Sequence, residues 1–379
     1  MIRLEQFEAG RLEKGTNGYT FFVPNKINYP WQWQDPEINQ LLERAAVKLG
    51  ELNACARLVP NIDRFLQLHI NKEAVLSSRI EGTQTNIEEA LLAEEDISPE
   101  RKNDWREVQN YILALRKAID ELVSLPLSSR LICNTHAVLL DSVRGEHKQP
   151  GEFRRSQNWI GGSSPANAVF VPPHHDYVPE LMGDLENFLH NSDIQVPDLI
   201  RIGIAHYQFE TILPFLDGNG RIGRLMIPLF LVDRQILDLP LLYLSSYFER
   251  NKGSYYDHLT FVRTRNDMQQ WLKYFLQGMA ETAEQGVSTL SAVLKLKLKL
   301  EQDIPGVFGR RAHAALTLLQ FLFKSPVVDV SLVCMACNLS KKAANDLVSK
   351  MVEMSVLTEV TGKSRGRIFR FDPYVKLFV

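Results

Sequence analysis

The amino-acid sequence predicts a mostly α-helical protein, and three observations lead to this fold class. After residue 36, apolar residues recur at three- and four-residue steps through most of the chain, which is the period of amphipathic helices. Runs in which β-branched and polar residues alternate are few. Residues 151–177 are the main exception. In this segment three glycines and three prolines surround two short apolar runs, which predicts a β-hairpin flap.

Length and charge limit the class of protein. The chain has 379 residues, which suggests two or three domains, and 43 Lys+Arg against 45 Asp+Glu leave a net charge of −2. This balance gives no sign of a nucleic-acid partner, although a local basic patch can hide in such a sum. No apolar run approaches the ~18 residues of a membrane helix, the N-terminus lacks the apolar core of a signal peptide, and four cysteines do not form a disulfide framework. We therefore expect a cytoplasmic protein with no membrane partner.

The first 282 residues divide into two parts. Residues 1–100 begin with glycines, prolines and aromatic residues, which predict an arm with short strands, and continue with helical periodicity. Residues 101–282 predict a helical core that carries the flap. A glycine-rich flap beside such a core is a candidate docking edge, because an exposed strand can pair with an extended peptide. An ordinary surface loop would have the same composition, so both interpretations stay open.

The C-terminal part of the chain predicts a linker and a small domain. Residues 283–308 alternate lysine with leucine and then reach Pro305 and Gly306, which are expected to break a helix. Residues 309–379 predict three helices followed by two strands, and the turn between the strands carries glycine and basic residues. This is the order of a winged helix-turn-helix domain.

The predicted winged helix-turn-helix carries a basic patch that the net charge of the chain conceals. Between residues 340 and 370, seven basic residues stand against three acidic ones. Lysines at the start of the third helix would meet a major groove, and basic residues of the wing would reach phosphates. DNA is therefore an expected partner of residues 309–379, while dimerisation or docking is the alternative role of such a domain. The basic residues are Lys341, Lys342, Lys350, Lys363, Arg365, Arg367 and Arg370.

The segment 217–224, Asp-Gly-Asn-Gly-Arg-Ile-Gly-Arg, carries the strongest chemical signal. Its glycines allow a tight turn whose N–H groups bind an anion, and the apolar run that follows predicts a helix whose positive N-terminal end faces that turn. Arg221 and Arg224 are three residues apart and share one helix face. Asp217 offers a hard oxygen ligand for Mg²⁺. Together these features predict a binding site for a polyphosphate and Mg²⁺.

Residues 213–224 closely resemble the signature of the Fic-domain family, His-Pro-Phe-x-(Asp/Glu)-Gly-Asn-Gly-Arg-x-x-Arg, and match it at eleven of twelve positions. Residues 151–162 are similar to the family's flap, and residues 77–82 match its inhibitory pattern, (Ser/Thr)-x-x-x-Glu-(Gly/Asn). Members of the family have a helical core that mostly transfers AMP from ATP to a hydroxyl side chain of a target protein. The resemblance spans residues 35–282 and implies a Fic-type helical core that uses ATP and Mg²⁺. A C-terminal winged helix is a frequent companion of this core.

The resemblance also implies roles for individual positions. Asp217 would hold Mg²⁺, Arg221 would bind phosphate oxygens, and Arg224 would contact the γ-phosphate of ATP. Glu81 would pair with Arg224 and keep that phosphate out of its productive position, so the protein would be autoinhibited. The other implied positions are the phosphate-binding Gly218, Asn219, Gly220 and Gly223, the nucleoside-binding Asn251, the inhibitory Ser77 and Gly82, and the target-docking Asn158, Trp159, Ile160, Gly161 and Gly162.

The sequence departs from the signature at its first position, where Leu213 replaces the family's histidine. That histidine is the general base that takes the proton from the attacking hydroxyl, and leucine has no group that could act as a base. Loss of a general base costs about 10²–10⁴-fold in rate. His206 lies about two helical turns upstream, too far for this role, and is expected to be structural. His174 and His175, at the end of the flap, are alternative bases.

Three functions therefore compete. The first and favoured one is an adenylyltransferase-like protein that is autoinhibited by Glu81 and impaired by Leu213. The second is a non-catalytic nucleotide-binding sensor, and the third is a DNA-binding transcriptional regulator that acts through residues 309–379. The target protein stays unidentified, because strand addition to a flap uses mainly backbone groups. A homodimer is a further expectation, since symmetric dimers are common among intracellular proteins.

Overall fold

A computed structural model describes residues 2–15, 18–59, 62–143, 145–362 and 366–378 of the chain. Within these residues most of the backbone is helical and the strands are short, so the predicted mostly α fold class is confirmed. The elements that precede the flap are β1 Ile2–Arg3, β2 Gly10–Lys14, β3 Thr20–Pro24, β4 Trp31–Gln32, α1 Pro36–Leu58, α2 Ile62–Ile80, α3 Ile87–Ala90, α4 Lys102–Leu122 and α5 Ser129–Leu139.

Two helices at the centre of the fold are buried on nearly every face. Every residue of the first from Leu199 to Ile212 is buried, as are most residues of the second, because apolar side chains occur all around both helices. The loop that joins them therefore begins and ends inside the core. The elements between the flap and the C-terminal part are α6 Val178–His190, α7 Asp198–Ile212, α8 Asn219–Asp233, α9 Ser245–Arg250, α10 Lys252–Arg265 and α11 Met268–Phe308, of which α7 and α8 are the central pair.

The N-terminal residues form an arm of short strands, as the sequence predicts. β1 lies parallel to β4, and β2 pairs antiparallel with β3. The Phe22 N–H donates to the Val171 carbonyl (2.9 Å), so the arm is joined to the end of the flap. Asp35 then caps α1 by accepting from the Glu37 N–H, and Pro36 occupies the first turn, where a missing N–H is not needed.

α11 does not end at Pro305, although the sequence predicts a break there. The helix runs without interruption from the core through the predicted linker, residues 283–308, to Phe308. Ile304 and Phe308 are buried on either side of the proline, and this packing outweighs the one backbone hydrogen bond that proline removes. Gly309 ends the helix with a positive φ of 51°. The core and the C-terminal part are therefore joined by continuous helix.

The flap, residues 151–177, is held by a single bridge rather than by two regular strands. Ile160 pairs antiparallel with Phe170, and the Ile160 N–H donates to the Phe170 carbonyl (2.8 Å). Gly161 and Gly162 follow with positive φ angles of 69° and 68°. On the other arm, two prolines after Val171 lack the N–H groups that a longer ladder needs. The predicted hairpin is thus an irregular loop with one pair of bridged residues.

The described residues after α11 contain three longer helices and a three-stranded antiparallel sheet with the strand order β5-β7-β6. The first strand of this sheet is absent from the sequence-based prediction, and the other elements follow the predicted order. Lys363 and Arg365 of the predicted wing lie outside the described residues. The elements are α12 Ala312–Leu322, β5 Val327–Asp329, α13 Val330–Cys337, α14 Lys341–Glu353, β6 Thr358–Glu359, β7 Ile368–Arg370 and the short α15 Asp372–Val375. None of the described helices is both long and apolar enough to span a bilayer.

Candidate active site

The α7–α8 loop, residues 213–218, carries the first half of the predicted site. Leu213 follows α7 in the left-handed region (φ 45°), and its N–H donates to the Phe209 carbonyl (2.9 Å). This conformation is strained for leucine, because the Cβ atom crowds the backbone. Gly218 takes the same region (φ 76°) without that cost. The N-terminal end of α8, with its unpaired N–H groups, therefore opens directly onto the loop.

Asn219, predicted to bind phosphate, closes the loop with its side chain. Its Oδ1 accepts from the Phe215 N–H (2.8 Å), and its Nδ2 donates to the Phe215 carbonyl (2.8 Å). Both ends of the amide are thus engaged with one residue across the turn. The Asn219 side chain therefore fixes the shape of the loop. The backbone N–H groups at the start of α8, and not this amide, are the groups that could bind an anion.

Arg221 is held by Glu107, a residue that the sequence analysis missed. The Arg221 Nη1 donates to the Glu107 Oε2 (3.1 Å), and both side chains are almost fully buried. A second carboxylate, that of Asp217, lies 3.7 Å from the Arg221 Nη2. The sequence signal for Glu107 was a carboxylate beside the apolar stripe of α4, next to the buried Val108. The pair fixes the guanidinium in the floor of the site.

Arg224 is held in place by α2, the predicted inhibitory helix. Its Nε donates to the Ser77 Oγ (2.9 Å), and its Nη2 donates to the Ser77 carbonyl (3.0 Å) and to the Glu81 Oε1 (2.6 Å). Although burial alone would lower the pKa of Arg224, the nearby carboxylates raise it above its ordinary value. Burial likewise opposes the charge of Glu81, but Arg224 keeps its pKa below the ordinary value. The ion pair that the resemblance implies is therefore present and charged.

Two glycines make the contact between α2 and α8 possible. A Cβ atom at Gly220 would lie 2.4 Å from the Glu81 Oε1, so any side chain there would displace the carboxylate. Gly82 follows α2 with a positive φ of 104°, which favours glycine. Gly220 of the predicted phosphate-binding motif thus also makes room for the carboxylate of Glu81.

The predicted catalytic position has no base among its neighbours on α7. Leu213 is buried and apolar, as the sequence states. His206 donates through Nδ1 to the Gly223 carbonyl (2.9 Å), so its Nε2 accepts from the Tyr255 hydroxyl (2.9 Å). Burial lowers the pKa of His206 to about 3. This histidine is structural, as predicted, because both ring nitrogens are occupied in the core.

The two alternative bases at the end of the flap, His174 and His175, lie beside the carboxylate of Asp176. The His174 Nδ1 lies 3.1 Å from Asp176, and the His175 Nε2 lies 3.6 Å from the same residue. Between them and Leu213 stands the buried guanidinium of Arg154, which donates to the Pro173 and Leu213 carbonyls. The structure therefore does not bring either histidine into contact with the catalytic position.

His136 is a second residue that the sequence analysis missed. The Gly151 N–H donates to its Nδ1 (2.9 Å), so its Nε2 carries the proton and donates to the Asp217 carbonyl (3.0 Å). Its ring stacks on Phe215 at 3.8 Å between centroids. Burial lowers the pKa of His136 to about 4, so the ring is neutral at physiological pH. This histidine ties the start of the flap to the α7–α8 loop.

The predicted docking residues of the flap divide into anchored and exposed ones. The Asn158 Nδ2 donates to the Phe215 carbonyl (2.8 Å), which fastens the flap to the α7–α8 loop. Trp159 and Ile160 are adjacent and are 40% and 44% exposed. Gly161 and Gly162 form the turn beyond them. An apolar edge is thus presented next to the candidate site.

Asn251, the predicted nucleoside contact, lies at the junction of α9 and α10. Its Nδ2 donates to the Tyr247 carbonyl (2.9 Å). The next residue, Lys252, donates to the Ile80 carbonyl at the end of α2 (2.6 Å). The structure therefore places Asn251 next to a residue that contacts the C-terminal end of α2.

Asp217 fits a cation site of the kind that Mg²⁺ uses with nucleotides. Its Oδ1 accepts from the Gly218 N–H (2.6 Å), and its side chain is 37% exposed. Mg²⁺ is commonly bound by one or two carboxylates together with substrate phosphates and water. A single, partly exposed carboxylate beside a helix N-terminus suits that pattern, with the remaining ligands supplied by the nucleotide and solvent.

Glu210 on α7 places a second carboxylate near Arg224, after that of Glu81. A Cβ atom at Gly223 would lie only 2.3 Å from the Glu210 Oε1, so the glycine makes room for this carboxyl. Among the described residues, the Glu210 Oε1 has no hydrogen-bond partner. Burial raises the pKa of Glu210 from the ordinary 4.5 to about 7, while Arg224 opposes that shift. Glu210 is therefore protonated in weakly acidic solution, when Glu81 is already charged.

The substitution Glu210→Gln is expected to change how stability depends on pH. Between pH 4.5 and about 7 the folded protein keeps a proton on Glu210 that the unfolded chain has lost, so wild-type stability falls as the pH rises through this interval. Glutamine mimics the neutral acid, so the variant should match the wild type at pH 5 and exceed it at pH 8 by roughly 1–3 kcal/mol. Urea unfolding at both pH values measures this, with the exposed Glu51→Gln as control. Parallel pH profiles of variant and wild type would contradict the assignment.

Comparison with known proteins adds to this geometry. Residues 39–120 match the family model described as Fic/DOC family N-terminal, and residues 126–231 match the one described as Fic/DOC family. The two matches together contain α2, the flap, the α7–α8 loop and most of α8. They contain Glu81, Glu107, Asp217, Arg221 and Arg224, whereas Asn251 and Lys252 lie beyond them.

Curated relatives carry the name of one activity. Over 201 aligned residues, the chain is 26% identical to a probable protein adenylyltransferase of Aquifex aeolicus. The aligned region covers 51% of this chain and 58% of that protein. Over 107 aligned residues, the chain is 29% identical to a protein adenylyltransferase of Caenorhabditis briggsae. This alignment covers 26% of this chain and 20% of that protein. The chain thus spans less than two thirds of the length of these relatives.

Solved structures show the same fold. A Fic family protein from Desulfovibrio desulfuricans G20 superposes with a TM-score of 0.57 at 22% identity over 90% of this chain and 98% of that one. A Fic domain containing signaling protein from Bacteroides thetaiotaomicron gives 0.51 at 18% identity over 67% of this chain and 95% of that one. At these identities the likeness concerns the fold alone.

Proposed function

The chain is a Fic-domain protein, and from that premise we propose that it is an adenylyltransferase-like protein that binds ATP with Mg²⁺ and is held in an inhibited state by Glu81. The observation that carries the proposal is the contact between Arg224 and the Ser77–Glu81 turn of α2. The names of the curated relatives support AMP transfer at the level of the family.

The nucleotide would lie on the α7–α8 loop. The N-terminal end of the 15-residue helix α8 attracts anions, and Arg221 adds a fixed guanidinium in the floor of the site. Asp217 would hold Mg²⁺, which would neutralise charge on the phosphate chain. The exposed edge at Trp159 and Ile160 would receive an extended segment of the target protein, beside the loop.

Inhibition would follow from the use of Arg224. AMP transfer forms a bond between the target hydroxyl oxygen and the α-phosphorus, and breaks the bond from that phosphorus to pyrophosphate. The γ-phosphate must therefore be positioned so that pyrophosphate leaves in line with the attack. Arg224 is the residue that would hold it, and Glu81 occupies one side of its guanidinium at 2.6 Å.

Leu213 limits what the site would do after the inhibition is lifted. The hydroxyl that attacks must lose its proton, and neither the leucine nor His206, whose two ring nitrogens are engaged in the core, would accept it. The protein would then transfer AMP very slowly or would act as a nucleotide sensor without turnover. A winged helix-turn-helix at residues 309–379, its binding of DNA, and a homodimer stay predictions from the sequence.

Nucleotide binding is expected to respond to Glu81 and Asp217 in opposite directions. Glu81→Gly frees Arg224 for the γ-phosphate and should tighten ATP·Mg²⁺ binding by about tenfold, the worth of one charge-assisted hydrogen bond. Asp217→Asn should weaken binding and remove its dependence on Mg²⁺.

Isothermal titration calorimetry with ATP, with and without Mg²⁺, measures both effects. Asp193→Gly, which removes an exposed loop carboxylate away from the site, serves as the matched control. An affinity that is the same for wild type and Glu81→Gly would contradict the inhibitory role. The absence of ATP binding in the wild type, Glu81→Gly and the control Asp193→Gly would contradict the nucleotide site itself.

A further inference from the structure

A cavity of about 440 Å³ lies behind the inhibitory helix, away from the α7–α8 loop. It is enclosed by α2, α9 and α11 and by Phe378 near the C-terminus, and we call it the α2–α11 cavity. Its volume is within the range of pockets that hold small molecules. Nothing in the proposed function uses this cavity, so what lines it must be explained separately.

Two cations line the α2–α11 cavity without an acidic partner. Lys72 is half-buried and, among the described residues, forms neither a hydrogen bond nor an ion pair. Arg250 donates to the Ser246 carbonyl and has no carboxylate within ion-pair distance in the described part of the chain. Burial lowers the pKa of Lys72, and the neighbouring Arg250 lowers it further. Glu249 also lines the cavity but lies 3.9 Å from Arg79, so Lys72 is the half-buried cation that lacks a paired carboxylate among the residues that the structure describes, with the exposed Arg250 beside it. A half-buried cation without a partner is unfavourable unless an anion joins it.

Buried polar atoms in the same wall also lack partners. The Tyr243 hydroxyl and the Glu73 Oε2 are both buried, and neither has a hydrogen-bond partner among the described residues. The Thr282 Oγ1, on α11, is a third such atom. Native proteins satisfy nearly all buried polar groups, so these three atoms are the groups of the wall that a polar ligand or water would complete.

The carboxyl group of Glu73, when it is neutral, can donate a hydrogen bond to an anion instead of repelling it. Its Oε1 accepts from the Tyr111 hydroxyl (2.7 Å) and from the Ser245 hydroxyl (2.6 Å). Burial raises the pKa of Glu73 to about 7, so the carboxyl is partly neutral at physiological pH. Because Oε1 already accepts twice, the proton of the neutral form lies on Oε2, which has no hydrogen-bond partner among the described residues.

The remaining wall is apolar and aromatic. The His69 and Tyr243 rings lie 5.0 Å apart, and the His69 and Phe378 rings lie 6.4 Å apart. Val75 and Leu76 of α2 add aliphatic surface. The cavity therefore combines a cationic, hydrogen-bonding end with a surface that suits a flat apolar group.

From these contacts we infer that the α2–α11 cavity is a binding site for a small organic anion, a carboxylate or a phosphomonoester with a flat apolar part, held between Lys72 and Arg250. The cavity is lined in part by α2, the helix that also supplies Ser77 and Glu81. An occupant of the cavity therefore contacts the same helix that pairs with Arg224. Binding at the cavity does not require that the α7–α8 loop bind ATP, and the inference stands apart from the proposed function.

Calorimetric titration of the full chain with phenyl phosphate, benzoate and benzyl alcohol tests the inference. The wild type is expected to bind at least one of the two anions, and which of them binds distinguishes a phosphomonoester site from a carboxylate site. Lys72→Met should weaken that binding by about tenfold or more, the worth of a hydrogen bond to a charged group. Lys26→Met, which removes a surface lysine paired with Glu180, should leave it unchanged.

Lys72→Met carries a second signature. Because it removes an unpaired, half-buried charge, it should raise the thermal midpoint of the ligand-free protein while it abolishes the response to the anion. Tyr243→Phe, which removes only the unpartnered hydroxyl, should weaken binding several-fold without loss of folding. Equal anion binding by Lys72→Met and wild type would place the anion elsewhere, and binding of benzyl alcohol as tight as that of the anions would make the cavity merely apolar. Either result, or no binding of either anion, overturns the inference.

Discussion

Replacement of Leu213 by histidine is expected to raise the rate of AMP transfer by about 10²–10⁴-fold, the contribution of a positioned general base. The backbone at this position is already fixed, because the Leu213 carbonyl accepts from Arg154 and its N–H donates to the Phe209 carbonyl. Histidine is also more common than leucine in the left-handed region that residue 213 occupies. The substitution should therefore add a base without moving the loop.

Four chains incubated with α-labelled ATP and Mg²⁺ measure this effect: the wild type, Glu81→Gly, Leu213→His and the double variant. We expect the strongest labelling in the double variant, since inhibition and the missing base are separate obstacles. Leu213→Asn, which also suits the left-handed region but is not a base, is the matched control. Labelling of the wild type or of Glu81→Gly alone at the rate of the double variant would show that Leu213 does not impair the enzyme. No labelling in any chain would contradict AMP transfer.

Substitution of Glu107 by leucine is expected to cost about 3–5 kcal/mol of folding free energy, because it leaves the buried charge of Arg221 without its partner. Both side chains of this pair are at most 3% exposed, so water cannot replace the lost contact. The same change should weaken ATP binding, since the guanidinium is no longer fixed in the floor of the site.

Urea unfolding of the full chain at pH 7 measures the loss. Glu107→Gln keeps one hydrogen bond to Arg221 and is expected to lose less stability than Glu107→Leu. Arg57→Leu removes one partner of an exposed ion pair with Asp238 and should cost less than about 1 kcal/mol. A cost for Glu107→Leu as small as that of Arg57→Leu would show that the buried pair is not a stabilising part of the site.

The sequence by itself determined the fold class and those parts of the candidate site whose residues lie close together along the chain. Helical periodicity is a local property, so most helices could be predicted without the fold. Arg221 and Arg224 are three residues apart on α8 and share one face by helix geometry, and Asp217 lies two residues before that helix. Ser77 and Glu81 are four residues apart, which places both on one face of α2 for the same reason.

Only the tertiary structure decided which distant groups meet these residues. Glu107 and His136 belong to α4 and α5, and nothing local marks them as partners of Arg221 and Asp217; their roles follow from burial, which forces each polar group to find a partner. Packing also decided that α11 continues through Pro305, against the local preference of proline. Local rules specify helices and turns, whereas contacts across the core depend on how those elements pack. For that reason the buried carboxyl of Glu210 near Arg224 and the shape of the cavity behind α2 could be known only from the folded chain.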